Sequence, residues 1–247
     1  MPDVQDIVLL HGWGTNAGIW NDLVARFAPR YRMHAWELPG YGDSPACAPY
    51  TARAIAAVLA RTAPPRCQVV GWSLGALVAL AWAQAAPEQV VCLALIAATP
   101  CFVQRASWPQ GVEKEVLAGF SRALATDRAG TLQRFVSLQA HGDDRAREVA
   151  RKLRSALAAG REPEAAALAD GLEILLETDM RAELDSIRQP ALVLHGDRDQ
   201  LVPLAAGRHL SRGLPRARMA VLHGTAHAPF LSRPAAAAAA LQELFDE

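Results

Sequence analysis

Gly71-Trp72-Ser73-Leu74-Gly75 follows the apolar run Cys67-Gln68-Val69-Val70 and opens an alanine-rich stretch over 76–86. A strand running through G-x-S-x-G into a helix is an elbow. The chain reverses so sharply that side chains at the flanking positions would collide, and glycine avoids the collision. The serine hydroxyl then stands clear of the sheet, and the helix start turns the N–H of Leu74 toward the place where an attacked carbonyl oxygen gains charge. Ser73 is therefore the candidate nucleophile.

Outward from the elbow, short β-rich runs at 7–10, 31–36, 67–70, 90–96, 191–194 and 218–222 alternate with helical patterns at 17–27, 51–61, 74–86, 204–212 and 234–245. That rhythm implies βαβ units, an α/β fold with a mostly parallel central sheet flanked by helices. Pro87 and Pro64-Pro65 mark stops. Between the fourth and fifth runs the alternation breaks, and 104–185 keeps helical periodicity without a convincing strand. The expected division is a core of 1–103 and 186–247 with a helical unit of 104–185 inserted in it. Charge is segregated along the insertion: 128–161 holds eight basic residues against three acidic ones, and 162–185 holds eight acidic residues against Arg181.

The chain of 247 residues has a net formal charge of zero and is 51% apolar, enough for a sizeable core and too balanced for a general nucleic-acid binder. Its start, Met1-Pro2-Asp3-Val4-Gln5-Asp6, is acidic and leads into only a short apolar run, so it does not read as a signal peptide. No segment is long and apolar enough for a bilayer. Cys47, Cys67, Cys92 and Cys101 lack C-x-x-C spacing, and Cys67 and Cys92 fall in expected core strands. Reduced thiols and a cytoplasmic setting follow, with a monomer expected and no nucleic-acid or membrane partner.

A serine needs a base to take its proton and an acid to orient that base, and this elbow expects them downstream in the order Asp, then His. Two acids follow the fifth run in His195-Gly196-Asp197-Arg198-Asp199-Gln200-Leu201-Val202-Pro203. Asp199 is favoured because it lies in the loop beyond the strand's carboxyl end, while Asp197 is read as stabilising the turn or pairing with Arg198. Leu222-His223-Gly224-Thr225-Ala226-His227-Ala228-Pro229-Phe230 offers two histidines. His223 abuts the strand; His227 has room to reach back over the serine and is the candidate base. His11, His34, His141 and His209 are read as structural. After the first strand, His11-Gly12-Trp13-Gly14 supplies the second oxyanion donor, expected to be the amide of Trp13 beside that of Leu74. Trp13 and Trp72 are expected to line an apolar acyl pocket, and the loop over 37–44 is read as structural. Neither metal nor organic cofactor is needed for such chemistry.

With H-G-W-G, L-P-G-x-G-x-S, G-W-S-L-G, G-x-x-D-x-x-V-P and G-x-x-H-A-P-F in register, the chain resembles the α/β-hydrolase superfamily over nearly its whole length. Gly71-Trp72-Ser73-Leu74-Gly75, Thr99-Pro100-Cys101-Phe102, Trp108-Pro109, Leu117-Ala118-Gly119-Phe120, Arg134-Phe135 and Gly171-Leu172-Glu173-Ile174-Leu175 are similar to the BioH family, esterases that remove the methyl group of pimeloyl-acyl carrier protein methyl ester in biotin synthesis. The resemblance implies a serine carboxylesterase with Ser73, Asp199 and His227 as its triad. It also implies that 104–185 is a lid whose arginines, Arg134, Arg147 and Arg151, meet an acyl carrier protein, with Phe135 against the substrate. Spacing of four puts Arg147 and Arg151 on one helix face, with Arg154 close to the same line. The chain departs from the family at Gly130, where an arginine can stand and Arg128 is near, and at Glu37, where aspartate is usual before L-P-G. It also starts almost at the H-G strand, without most of the leading hairpin, which leaves an edge strand to be stabilised. A broad-specificity esterase, a carbon–carbon bond hydrolase and a receptor with little turnover are the rival readings on this scaffold.

Overall fold

Residues 4–247 are described by the computed structural model; Met1 to Asp3, the beginning of the stretch read against a signal peptide, lie outside the described residues. The elements follow in the order β1 (Asp6–Leu10), α1 (Asn21–Phe27), β2 (Arg32–Trp36), α2 (Ala52–Thr62), β3 (Cys67–Trp72), α3 (Leu74–Ala85) and β4 (Val90–Ile96). Four helices then intervene: α4 (Lys114–Thr126), α5 (Arg128–Ala140), α6 (Ala146–Ala159) and α7 (Ala165–Glu177). The core resumes with β5 (Ala191–Gly196), α8 (Leu204–Gly213), β6 (Ala217–Leu222), α9 (Pro229–Ser232) and α10 (Pro234–Phe245). Only the expected helix over 17–27 differs in kind, splitting into a 3-10 turn at Ala17–Trp20 and α1. The side chain of Asn16 caps the turn by accepting from the N–H of Gly18, and the turn runs directly into α1.

All six strands are parallel, in the order β2-β1-β3-β4-β5-β6, so the direction of winding reverses between β1 and β3. In such sheets the crevice beyond the carboxyl ends of the strands flanking the reversal is where ligands bind, because the two crossover connections leave there in opposite directions. The register pairs Leu10 with Gly71, which brings the loop after β1 beside the elbow after β3. Every residue of β3 is buried, as a central strand covered on both faces requires. One face carries Val8, Leu10, Val69 and Leu93 with α2, α3, α4 and α7; the other carries Ile7, Leu9, Val70 and Trp72 with α1, α6 and α10, and α5 divides between them, with Phe135 on the first side and Val136 and Ala140 on the second. Helix α3 is buried from Leu74 through Ala83. Its alanines let it lie close to its neighbours, and Leu77, Val78 and Leu80 fill the remaining space at about 1.5–3 kcal/mol for each fully buried side chain. The edge strand β2 is held by charge as well as by its ladder: Asp6 on β1 meets Arg32 at 3.1 Å and His34 at 2.7 Å. Charged side chains at a sheet edge discourage pairing with another chain. The four inserted helices form a lid over the carboxyl end of the sheet.

Candidate functional site

At the elbow Ser73 has φ 56 and ψ −114, a conformation L-residues rarely adopt, and it is held there by its neighbours. A Cβ on Gly71 would run into Ala76, and one on Gly75 would meet the carbonyl of His11 at 2.6 Å, so the glycines are there because backbone passes directly behind the serine. On the other side, a Cβ on Gly12 would lie 3.3 Å from that of Ser73 and 3.1 Å from the Trp72 ring. As the first residue of α3, Leu74 presents one of the N–H groups a helix start leaves unpaired, and Ser73 makes no side-chain cap to it. The loop after β1 is fixed by His11, whose Nε2 accepts from the N–H of Leu38 at 3.1 Å while Nδ1 faces the carbonyl of Gly12 at 2.9 Å. Glu37 lies 3.3 Å from His11 Nε2 and accepts from the N–H of Ala17 at 3.1 Å, so the longer acid at this position is spent on the loop.

Asp199 and His227 meet. His227 Nδ1 donates to Asp199 Oδ2 at 2.8 Å, and Oδ1 of the same carboxylate accepts the N–H groups of Leu201 and Val202, each at 2.9 Å. The pair is buried: Asp199 is 6% and His227 1% exposed. His227 Nε2 is left without a hydrogen-bond partner among the described residues, a bare acceptor once Nδ1 holds the proton. Asp197 belongs to a different pair. It accepts from His223 at 2.9 Å and from the N–H of Gly224 at 2.8 Å, on the surface, so its expected partner Arg198 is corrected to His223, and Arg198 reaches Asp144 instead. A third imidazole, His195, lies 3.6 Å from Asp199 and donates from Nε2 to the carbonyl of Val202 at 2.8 Å. Desolvation pulls its pKa below the ordinary imidazole value, against the attraction of Asp199.

The two tryptophans part company. Trp13 lies under the lid, its indole N–H donating to the carbonyl of Leu168 on α7 at 2.8 Å and its ring 4.7 Å from Phe135 of α5, edge to face. Gly171 lets α7 approach, since a Cβ there would stand 2.8 Å from the Trp13 ring. Trp72 is not brought to that wall. It packs on the opposite face of the sheet with Phe230 and Trp20, and its indole donates to the carbonyl of His227 at 2.8 Å, so the expected pocket role is corrected to a support beneath the histidine.

On the lid, Arg147, Arg151 and Arg154 are exposed on α6 with no carboxylate within 4.0 Å among the described residues, whereas Arg134 is partly engaged by Thr131 at 2.8 Å and Asp127 at 3.4 Å. Arg128 pairs with Glu162, joining the basic and acidic limbs. Gly130 donates its N–H to the capping side chain of Asp127. Sequence reasoning missed Gln139. It is 1% exposed, both amide atoms lack partners, and it lies one turn beyond Phe135 on α5. The i, i+4 spacing from Phe135 was the available signal. Among the described residues no helix is long and apolar enough to cross a membrane.

Residues 7–234 match the family model of the alpha/beta hydrolase fold. A pimeloyl-[acyl-carrier protein] methyl ester esterase of Aromatoleum aromaticum is 44% identical, with 97% of each chain covered. That of Nitrosomonas europaea is 43% identical over 93% of this chain and 91% of its own. Among solved structures, the esterase EaEST from Exiguobacterium antarcticum superposes with a TM-score of 0.89 at 23% identity, covering 98% of this chain and 92% of that one. The enol-lactonase from Burkholderia xenovorans LB400 gives 0.84 at 22%, covering 99% and 92%. These two share the fold.

Proposed function

The chain belongs to the α/β-hydrolase fold family and, within it, to the pimeloyl-[acyl-carrier protein] methyl ester esterases, and from that premise we propose how its own residues carry the reaction. It is a carboxylic ester hydrolase that converts pimeloyl-acyl carrier protein methyl ester to the free acid and methanol, a step associated with biotin synthesis. Ser73 is the nucleophile, His227 the base and Asp199 the acid that orients it. The observation that carries this assignment is the buried Asp199–His227 hydrogen bond of 2.8 Å, with Nε2 of the histidine unspent, on a loop tied to the elbow by the Trp72 indole, which donates to the His227 carbonyl at 2.8 Å. His227 takes the proton of Ser73 as its oxygen attacks the ester carbonyl, the N–H groups of Trp13 and Leu74 stabilise the oxyanion, and methanol leaves with the proton returned by His227. Water activated by the same imidazole then releases the carboxylate.

Trp13 and Phe135 form the apolar wall for the acyl chain, and the Gln139 amide supplies a donor and an acceptor beside it. The lid, 104–185, closes this space between the two core segments. The free charges of Arg147 and Arg151, with Arg134 nearby, meet the acidic carrier protein, and Arg151 with Lys152 lines a surface cleft of about 350 Å³ that continues the stripe. The protein acts as a cytoplasmic monomer. The test compares carrier-bound pimeloyl methyl ester with a short p-nitrophenyl ester, for the wild type, Ser73→Ala and Arg147→Ala/Arg151→Ala, at low and high salt. Ser73→Ala abolishes both activities; the arginine pair loses only the carrier-bound activity, and salt removes the wild type's preference for it. Ester hydrolysis by Ser73→Ala would overturn the nucleophile, and an unchanged preference in the arginine pair would overturn the carrier contact.

A further inference from the structure

Asp143 stands in the turn between α5 and α6, on the lid, yet its carboxylate is only 7% exposed and is turned toward the core. Oδ2 accepts the N–H of Ala226 at 2.8 Å, and Oδ1 accepts the hydroxyl of Ser232 and the N–H of Arg145, each at 2.7 Å. Ala226 immediately precedes His227, and Ser232, with no exposed surface, closes the short helix α9 that follows. Two backbone bonds run alongside: the N–H of His227 to the carbonyl of Gln139 at 3.2 Å, and the N–H of Asp144 to the carbonyl of Gly224 at 2.9 Å. No cation lies within 4.0 Å of Asp143 among the described residues, so its charge is met by three donors, two of them on the segment that carries His227.

We infer that Asp143 is a positioning residue for His227, holding the backbone of the histidine loop from the lid side. The inference rests on the reading of His227 as the base. The imidazole is held at Nδ1 by Asp199, but that single bond lets the ring swing, so the position of Nε2 depends on where the backbone of residue 227 sits. The His227 carbonyl is held from the core by the Trp72 indole, and the peptide before it is held from the lid by Asp143 and Gln139. Loosening the lid side lets Nε2 drift from Ser73, and misplacement by about 1 Å costs on the order of 100-fold in rate. The docked turn of the lid is thereby part of the reaction centre's geometry.

An asparagine at 143 presents one acceptor atom and one NH₂, so it faces an N–H donor with a donor at either Ala226 or Arg145. Asp143→Asn, Ser232→Ala, His227→Ala and Asp246→Asn are compared with the wild type on a short p-nitrophenyl ester. Each is also assayed for the rate at which an alkyl phosphonate inactivates the enzyme through Ser73, and for its melting temperature. Asp143→Asn lowers kcat and the inactivation rate together, by about 10- to 100-fold, with KM within about 3-fold. Ser232→Ala moves the same two quantities by about 3- to 10-fold. Asp246→Asn, which breaks contacts to Tyr31 and Arg30 far from the site, lowers the melting temperature and leaves both rates alone. A folded Asp143→Asn within twofold of the wild type in kcat and inactivation overturns the inference, and if that variant does not fold, Ser232→Ala decides on the same criterion. Activity retained by His227→Ala overturns the base assignment instead; a dead His227→Ala beside a fully active Asp143→Asn overturns the role of Asp143 alone.

Discussion

Replacing Ser73 by glycine and, separately, by alanine separates the strain of the elbow from its chemistry. Both variants lose the hydroxyl, so both lose ester hydrolysis. Alanine keeps the Cβ and hence the cost of φ 56, ψ −114, which for a non-glycine residue is about 1–3 kcal/mol. Glycine adopts that conformation freely. It costs about 0.5–1 kcal/mol in extra freedom of the unfolded chain, and up to about 0.8 kcal/mol for the buried Cβ it removes. At an ordinary buried position with negative φ the change from alanine to glycine therefore destabilises by about 1 kcal/mol or more. At residue 73 the released strain of about 1–3 kcal/mol stands against costs of about 0.5–1.8 kcal/mol, so at the middle of those ranges the glycine variant is about 1 kcal/mol more stable than the alanine variant. For a chain of this length 1 kcal/mol corresponds to about 2–4 °C in melting temperature. Calorimetric melts, with urea unfolding to check that the two variants share one m-value, read the difference. A glycine variant that melts below the alanine variant by the ordinary penalty refutes the claim that the fold holds this serine under strain.

Trp13→Phe keeps the ring's contact with Phe135 and the backbone N–H of the loop but leaves the carbonyl of Leu168 without its donor, a loss of about 1–2 kcal/mol. Amide exchange along α7 should quicken by about tenfold, while kcat on a short ester stays within a few-fold; unchanged exchange would show that the indole does not fasten the lid. His195 is buried uncharged beside Asp199 and His227, with its pKa below the ordinary imidazole value, so the unfolded chain binds a proton there that the folded one does not. Stability is therefore fully present above about pH 6.5 and falls as pH drops toward the depressed folded value, by up to about 1.4 kcal/mol per pH unit. Urea midpoints from pH 7.5 to 5 should slope less in His195→Gln than in the wild type, and equal slopes would remove the assignment.

The strand–elbow–helix reading at 67–86 and the alternation around it were visible because periodicity and glycine spacing are local signals. So were Asp199 and His227, chosen over Asp197 and His223 by their places in the two loops, but not what each of the four touches. The pairing of Asp199 with His227 and of Asp197 with His223 depends on how two loops cross, and no single segment records that. Trp72 was misplaced although the clue was present: strand side chains alternate, and Val70 and Trp72 share the face opposite Val69. Asp143 carried no clue, since its contacts lie 83 and 89 residues away along the chain. The arginine stripe on α6 was legible from spacing, while the engagement of Arg134 with Thr131 and Asp127 was not.

Ser73 is 3% exposed, and Trp13 and His227 are 1% exposed. With the roof packed this closely over the serine, an acyl chain reaches it only when the roof gives way, so lid opening is expected to begin each catalytic cycle. Where that opening is the slow step, it sets a ceiling on turnover shared by all esters, however reactive their leaving groups. Raising solvent viscosity would then slow a quick ester and a sluggish one toward a common rate, the mark of a gated enzyme rather than one limited by bond breaking.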